Sequence, residues 1–162
     1  MVERAILWRV VADCGRLLRL KMFKGTFFHN IDSKGRMIVP AKYRELLGES
    51  FVVTLGLDGC LFVLPQDVWD EMEKKLMSLP MSSTNGRKVS RMFLSNALDC
   101  EFDKQGRILL PQNLRTYAGL QKDVVLVGVG NRAEIWDKDR WEQYNDLDDK
   151  EQMAADFEGL GF

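Results

Sequence analysis

The sequence predicts an α+β protein, mainly β, in which two copies of one strand-rich pattern close on each other as a pseudo-twofold β-barrel with short flanking helices. Three observations predict it. The phrase DSKGRMIVP at 32–40 returns as DKQGRILLP at 103–111, with Asp, Gly, Arg and Pro at the same intervals. At a spacing of 71, Asp32, Gly35, Arg36, Pro40, Arg44 and Gly48 fall on Asp103, Gly106, Arg107, Pro111, Arg115 and Gly119; one inserted residue later, Gly56, Asp67 and Trp69 fall on Gly128, Asp139 and Trp141. Each copy holds about four short strands in about 45 residues, too little to cover its own apolar surface, so hairpins of one half are expected to complete the sheet of the other.

The elements follow in order. Residues 1–21 (MVERAILWRVVADCGRLLRLK) form at most a marginal amphipathic helix that nothing later echoes. The preferred reading is an upstream start ahead of a folded unit that opens at Met22; a basic membrane-surface helix and a DNA-contacting arm are the other two. The first repeat unit spans 22–80, a linker and helix 81–97, the second unit 98–144 and an acidic tail 145–162, which reads as a solvated, partly disordered end. In each unit a short strand (Thr26–Ile31; Asp99–Phe102) enters a polar Gly turn and an apolar strand (Met37–Val39; Ile108–Leu110) leaves it, which reads as a hairpin.

Pro40 and Pro111 end that pairing and open short helices, AKYRELLG and QNLRTYAG, closed by Gly48 and Gly119. Second hairpins follow, FVVTLGLDGCLFVLP turning at Asp58-Gly59 and VVLVGVGNRAEIW turning at Gly130-Asn131. Their strands are almost wholly apolar, which predicts burial of both faces. Each unit ends in a helix, PQDVWDEMEKKL or DKDRWEQYNDL, with Asp67 or Asp139 near its start. Between the units, Pro80–Asn85 reads as linker and Arg87–Ala97 as a helix with an apolar stripe at Val89, Met92, Phe93 and Ala97.

Composition narrows the function. A chain of 162 residues with 46% apolar content can bury a real core, and its net charge of -1 hides a lopsided distribution. Residues 1–21 carry five basic and two acidic side chains (+3), 22–44 carry Lys24, Lys34, Arg36, Lys42 and Arg44 against Asp32 alone (+4), and 137–162 carry nine acidic and three basic (-6). Cys14, Cys60 and Cys100 match no metal-ligand spacing and read as free thiols of a reducing cytosol; no metal, cofactor or small-molecule substrate is expected. The apolar runs near the start are broken too often for a membrane span.

An enzyme reading lacks parts. His29 is the one histidine, and the chain has no HExxH, GxSxG or Gly-rich phosphate loop. The repeated turn is the richer signal. Gly35 supplies positive φ, Asp32 can accept backbone amides across the turn, and Pro40 serves helix entry, which leaves Arg36 without a purely structural reason. Ion pairs with Asp32 and Asp103 are the plain account of Arg36 and Arg107, and surface pairs of that kind are worth little. For Arg36 the neighbours Lys24, His29, Lys34 and Lys42 tilt the reading toward duplex DNA: a two-stranded ribbon fits the major groove, Arg can pair a guanine edge and Lys a phosphate. The second copy has Gln105 where the first has Lys34, so Arg107 is expected to matter less.

From Met22 to about Trp141 the sequence resembles the MraZ family, on the start MFKGTF, the pair DSKGR and DKQGR, the helix RKVSRMFLSNA, and the stretch YAGLQKDVVLVGVGNRAEIWDKDRW. The resemblance implies two AbrB-like (SpoVT-AbrB) swapped-hairpin repeats. It implies a bacterial transcriptional regulator of the division and cell wall gene cluster, a closed homo-oligomeric ring that binds short direct repeats in promoter DNA, including that of its own gene, in the cytoplasm and on the nucleoid. Asp32 and Arg36 match the first DxxxR motif of that family, and Asp103 and Arg107 the second. The rival reading is an AbrB-like protein-interaction or antitoxin-type scaffold without specific DNA binding. Trp69, Trp141, Phe93 and the cluster Met72, Met77 and Met81 read as core or subunit interface.

Overall fold

The computed structural model describes residues 22–145 and 149–161, so the readings of the extension 1–21, Cys14 included, lie outside the described residues. The first unit runs β1 (Phe23–Asn30), β2 (Arg36–Ile38), α1 (Ala41–Leu47), β3 (Ser50–Leu55), β4 (Leu61–Pro65) and α2 (Gln66–Met77). The linking helix α3 (Thr84–Leu94) leads to β5 (Leu98–Glu101), β6 (Arg107–Leu109), α4 (Gln112–Ala118), β7 (Asp123–Gly130), β8 (Ala133–Asp137) and α5 (Lys138–Tyr144), and α6 (Lys150–Glu158) follows.

The second hairpins form as the sequence predicts: β3 pairs with β4 and β7 with β8, both antiparallel. The first hairpins do not form as ladders. Within the first copy a single bridge, Ile31↔Met37, joins the two sides of the turn. Strand β1 instead pairs along its whole length with β7 of the other copy, from Phe23↔Gly130 to Asn30↔Asp123, and β5 pairs with β3. The strands leaving the turns, β2 and β6, pair with each other. The reason is length and burial: three residues before a proline that has no N–H sustain too few ladder bonds for an independent hairpin. Met37 and Ile108, both 1% exposed, are satisfied only in a core shared by the two copies.

The resulting six-stranded sheet has the order β1-β7-β8-β4-β3-β5, beside the two-stranded β2-β6 ribbon. That order is unchanged when the copies are exchanged, and β4 meets β8 at its centre, where Phe62 faces Glu134. Among the described residues no ladder joins β1 to β5, so the hydrogen-bonded sheet is open rather than the closed barrel the sequence led us to expect. Register also corrects one sequence equivalence. Leu61 and Ala133 are related across the β4–β8 pair, and their partners in the adjoining strands are Leu55 and Gly128. Leu55, not Gly56, is therefore the counterpart of Gly128.

The central strands β7, β8, β4 and β3 are buried on both faces over most of their length, and period-2 alternation divides their side chains between two cores. Phe51, Val53, Leu126 and Ile135 face the ribbon and the short helices, packing with Met37, Ile108, Leu110, Tyr43 and Leu114. Val52, Leu64, Val125 and Trp136 face the other way, under Trp69 and Leu76 of α2 and Phe93 of α3. Thr54, fully buried, donates its hydroxyl to the Phe93 carbonyl at 2.9 Å and ties sheet to linking helix. Cys60 and Cys100 are free and buried, and burial pushes their thiols up to about 12 and about 11.

Three further expectations shift. The linking helix starts at Thr84, ahead of the expected Arg87, because Ser83 caps it by accepting from Gly86 N at 3.1 Å. Val89 of the expected apolar stripe is 40% exposed, and Met77 at 74% and Met81 at 85% exposure lie outside both cores, which leaves these two methionines the subunit-interface half of their reading, while Met72 and Met92 pack against the cores. The acidic tail, read as a solvated and partly disordered end, contains the exposed helix α6, capped by Asp149.

Candidate nucleic-acid interface

The site is assembled from two turns. In the first, Asp32 N donates to Arg36 O at 2.9 Å and Gly35 N to Asp32 O at 3.0 Å, closing a loop that Gly35 enters at φ +82°. Asp32 Oδ1 accepts from the backbone N–H of Lys34 and of Arg36, each at 2.9 Å, and Oδ2 accepts from Arg36 Nε at 2.7 Å. The second turn repeats this atom for atom: Asp103 Oδ1 accepts from Gln105 N and Arg107 N at 2.9 Å, and Oδ2 from Arg107 Nε at 2.7 Å. The plain account of both arginines is therefore correct as geometry. Each Asp is the internal brace of its turn, and each Arg is held through Nε.

This brace leaves the outer edge of the guanidinium unused. Apart from Arg107 Nη1, which lies 3.9 Å from Asp32 Oδ2, no Nη group of Arg36 or Arg107 has a hydrogen bond or ion pair with a described residue. Side-chain exposure is 31% for Arg36 and 24% for Arg107. The Asp32 carboxyl is held below the usual range, first by the hydrogen bond from the Arg36 backbone N–H and then by the Arg36 side chain and Lys34 N–H, with loss of solvent working against them. Asp103 is lowered in the same way by Arg107 and Gln105. Both braces are ionised at neutral pH.

The swapped strands bring the turns together. Leu110 N donates to Gly35 O at 2.8 Å and Val39 N to Gly106 O at 3.1 Å, so each glycine carbonyl is bound by the strand leaving the other turn. In the ribbon, Arg36 stands opposite Leu109 and Ile38 opposite Arg107, around the central Met37↔Ile108 pair. Met37 and Ile108 point into the core. Alternation sends Arg36, Ile38, Arg107 and Leu109 to the outer face, where Ile38 is 50% and Leu109 58% exposed.

The other sequence candidates separate. Lys34 lies exposed at the tip of the first turn, and Lys42 lies exposed on α1, just after the ribbon. Lys24 pairs with Val129 at the opposite end of β1, about 25 Å along the strand from Asp32. His29 pairs with Val124, its Nε2 is buried without a partner, and burial lowers its pKa, which favours the neutral ring. Sequence reading also missed a residue: Lys104, exposed in the second turn at the place of Ser33, restores to that tip the cation that Gln105 lacks. Counting basic residues across the whole turn, rather than matching position to position, finds it. Among the described residues no group of three or more His, Cys, Asp or Glu side chains is placed to hold a metal ion, and no helix is long and apolar enough to cross a membrane.

Two braced arginines on a strand-swapped ribbon, produced by an internal repeat, is the arrangement to set beside known proteins. The family described as "MraZ protein, putative antitoxin-like" matches this chain twice, at residues 22–92 and 93–160. The chain belongs to the MraZ family. Among curated relatives, it is 58% identical over 139 residues to the transcriptional regulator MraZ of Desulforamulus reducens, a match covering 86% of this chain and 94% of that protein. It is 55% identical over 142 residues to the transcriptional regulator MraZ of Halothermothrix orenii, covering 86% and 99%, and 52% identical over 139 residues to that of Natranaerobius thermophilus, covering 86% and 94%. The two MraZ matches meet inside the linking helix, so each holds one DxxxR turn, and both turns belong to one surface of the folded chain.

Proposed function

We propose that the protein is a sequence-specific DNA-binding transcriptional regulator that presents the β2–β6 ribbon to the major groove. The observation that carries this reading is the convergence of the two DxxxR turns, with Arg107 Nη1 3.9 Å from Asp32 Oδ2, on one exposed ribbon. A two-stranded ribbon is narrow enough for the groove, and an Arg restrained through Nε offers its two Nη groups to the O6 and N7 of guanine. The Asp brace removes rotamer freedom before binding, which reduces the entropy lost on contact. Lys34 and Lys104 supply phosphate contacts beside the groove and Lys42 flanks them, while Lys24 and His29 on β1 stand outside the contact. The relatives are named transcriptional regulators, which supports the same class and a non-enzymatic role.

The finer parts of the proposal come from the family resemblance. The target is a set of direct repeats in the promoter of the division and cell wall cluster, its own gene included. Several copies of the chain form a closed ring, in the cytoplasm and on the nucleoid, so that weak single contacts multiply. Each chain folds as two AbrB-like units, 22–80 and 98–144, joined by 81–97 and followed by the tail 145–162, with sheet and ribbon together enclosing the core as a pseudo-twofold barrel. Footprinting of the full chain on DNA upstream of its own gene tests the proposal. Protection at regularly spaced repeats, lost in Arg36→Ala, supports it; an unprotected fragment overturns it.

A second reading has one observation in its favour: Ile38, Leu109 and Phe28 (60% exposed) give the ribbon side an apolar character suited to a protein partner, in keeping with the antitoxin-like part of the family description. Under that reading Ile38→Ala abolishes complex formation and Arg36→Ala leaves it intact, the reverse of the DNA pattern.

A further inference from the structure

Arg44 and Arg115 occupy equivalent places in the short helices that follow Pro40 and Pro111, and the sequence gives them no role beyond repetition. Their positions in the fold are crossed. Arg115, on α4 of the second copy, lays its guanidinium against Gly35 of the first turn: a Cβ built on Gly35 would stand 3.0 Å from Arg115 Cζ and Nε and 2.8 Å from the Leu110 carbonyl. Arg115 Nε donates to that same carbonyl at 2.9 Å, and Leu110 N donates to Gly35 O. The first turn is thus seated on a plate made of Arg115 and the Leu110 peptide. Arg44, on α1 of the first copy, lies against Gly106 of the second turn, where a Cβ would collide with its guanidinium. Its Nε is buried without a partner, so this plate is held less firmly.

We infer that Arg115 is a positioning residue for Arg36, and Arg44 for Arg107, each acting across the repeat through the glycine of the turn it supports. The inference rests on the DNA-binding reading for its functional consequence, but the clamp itself does not. Three facts converge on it. Both glycines have positive φ, +82° and +73°, so both turns are held in a conformation that side-chain-bearing residues resist. Both guanidiniums lie so close over the glycine that a Cβ there would force the arginine, and at Gly35 the Leu110 carbonyl as well, to move. And a planar guanidinium makes a stiffer floor than any other long side chain, the more so at Arg115, whose Nε is fixed to the Leu110 carbonyl. The floor matters because the Asp brace fixes Arg36 relative to the turn only. What fixes the turn relative to the sheet is the opposite copy.

The arrangement makes a crossed prediction that a general loss of stability does not. In the full chain, backbone amide exchange of Gly35 and Arg36 is expected to rise about tenfold in Arg115→Ala while Gly106 and Arg107 stay protected, and the pattern reverses in Arg44→Ala with a smaller rise. Equal loosening of both turns, or loosening of the turn in the same copy, overturns the clamp. This measurement needs no DNA and stands whether or not the regulator reading survives.

The functional half uses the promoter fragment upstream of the protein's own gene. Arg115→Ala is expected to weaken binding about tenfold, to add nothing in an Arg36→Ala background, and to multiply with Arg107→Ala. Arg115→Lys separates position from charge: it keeps the cation but loses the planar plate and the Nε donor, so it follows Arg115→Ala. Full affinity in Arg115→Lys assigns Arg115 a mere charge role and overturns the inference. Normal binding by Arg36→Ala overturns the DNA reading alone, with the exchange pattern still deciding the clamp.

Discussion

The two DxxxR turns have one geometry and two surroundings. Asp32 and Asp103 make the same set of bonds at the same lengths, so the internal brace does not distinguish them. The differences lie outside. Arg107 is less exposed than Arg36 and has a second carboxylate, Asp32, at 3.9 Å, whereas Arg36 has only its own. Gly35 rests against a backbone carbonyl and a bonded guanidinium, and Gly106 against a guanidinium whose Nε is unbonded. Both copies keep the device, and they differ in how it is seated. The first turn presents the freer arginine on the firmer base.

The largest expected effect tests that asymmetry. Arg36→Ala should cost about 2–3 kcal/mol of specific binding, and Arg107→Ala about half as much, since the Arg107 guanidinium is already shared with Asp32. Titration of the promoter fragment with each variant measures both. Equal losses would show that the second carboxylate and the lower exposure do not matter, and that the ribbon reads DNA with its arms alike.

Next comes the seating. Gly35→Ala places a methyl 2.8 Å from the Leu110 carbonyl at φ +82°, where a backbone has to move, and should cost about 3 kcal/mol of stability. Gly106→Ala meets only the end of the Arg44 side chain, which can swing aside, so about 1–2 kcal/mol for the positive φ is expected. Urea unfolding of the two variants compares them. A costlier Gly106→Ala would mean that the Arg44 plate is the rigid one.

Much of the fold is legible in the amino-acid sequence alone, and the part that is not has a common cause. The second hairpins, the proline-started helices and the two-faced burial of the strands follow from local pattern, because turn residues and apolar runs act on their neighbours. Pairing between distant strands does not. DSKGR flanked by apolar segments reads as a hairpin, yet whether β1 pairs with β2 or with β7 depends on which partner is long enough and which core is shared. Arg44 and Arg115 stand in the sequence as repeated residues without a role for the same reason: each works on the opposite copy. Lys24 counts as a neighbour of Arg36 through a shared basic segment, whereas strand rise carries it to the far end of β1.

The tip cations give a smaller effect. Lys34→Ala and Lys104→Ala should each weaken binding to specific and unrelated DNA alike and lower the salt slope by about one, because each exposed ammonium answers a single phosphate. Affinity measured across a salt series checks this. If only Lys34→Ala changes the slope, the second tip stays away from the backbone, and the ribbon is tilted toward its first arm.

The smallest effect is expected at His29, and there acidity rather than affinity is the readout. Burial lowers its pKa below the ordinary 6.5, so the folded chain binds fewer protons at this site than the unfolded chain between the two values. Stability therefore rises with pH through that window, and it is lost as pH falls below about 6.5 until the folded-state value is passed. The braces behave differently: Asp32 and Asp103 are depressed acids, so their contribution is complete above about pH 4 and is lost only below it. Replacing His29 with Gln should abolish the decline in stability just below pH 6.5 and leave the steeper loss below pH 4 in place, while DNA affinity at pH 7.5 does not change. A neutral, half-buried ring adds no charge to a phosphate contact. A drop in affinity at pH 7.5 in His29→Gln would place β1 in the interface, and the boundary drawn between the ribbon and the rest of the basic segment would then move to include it.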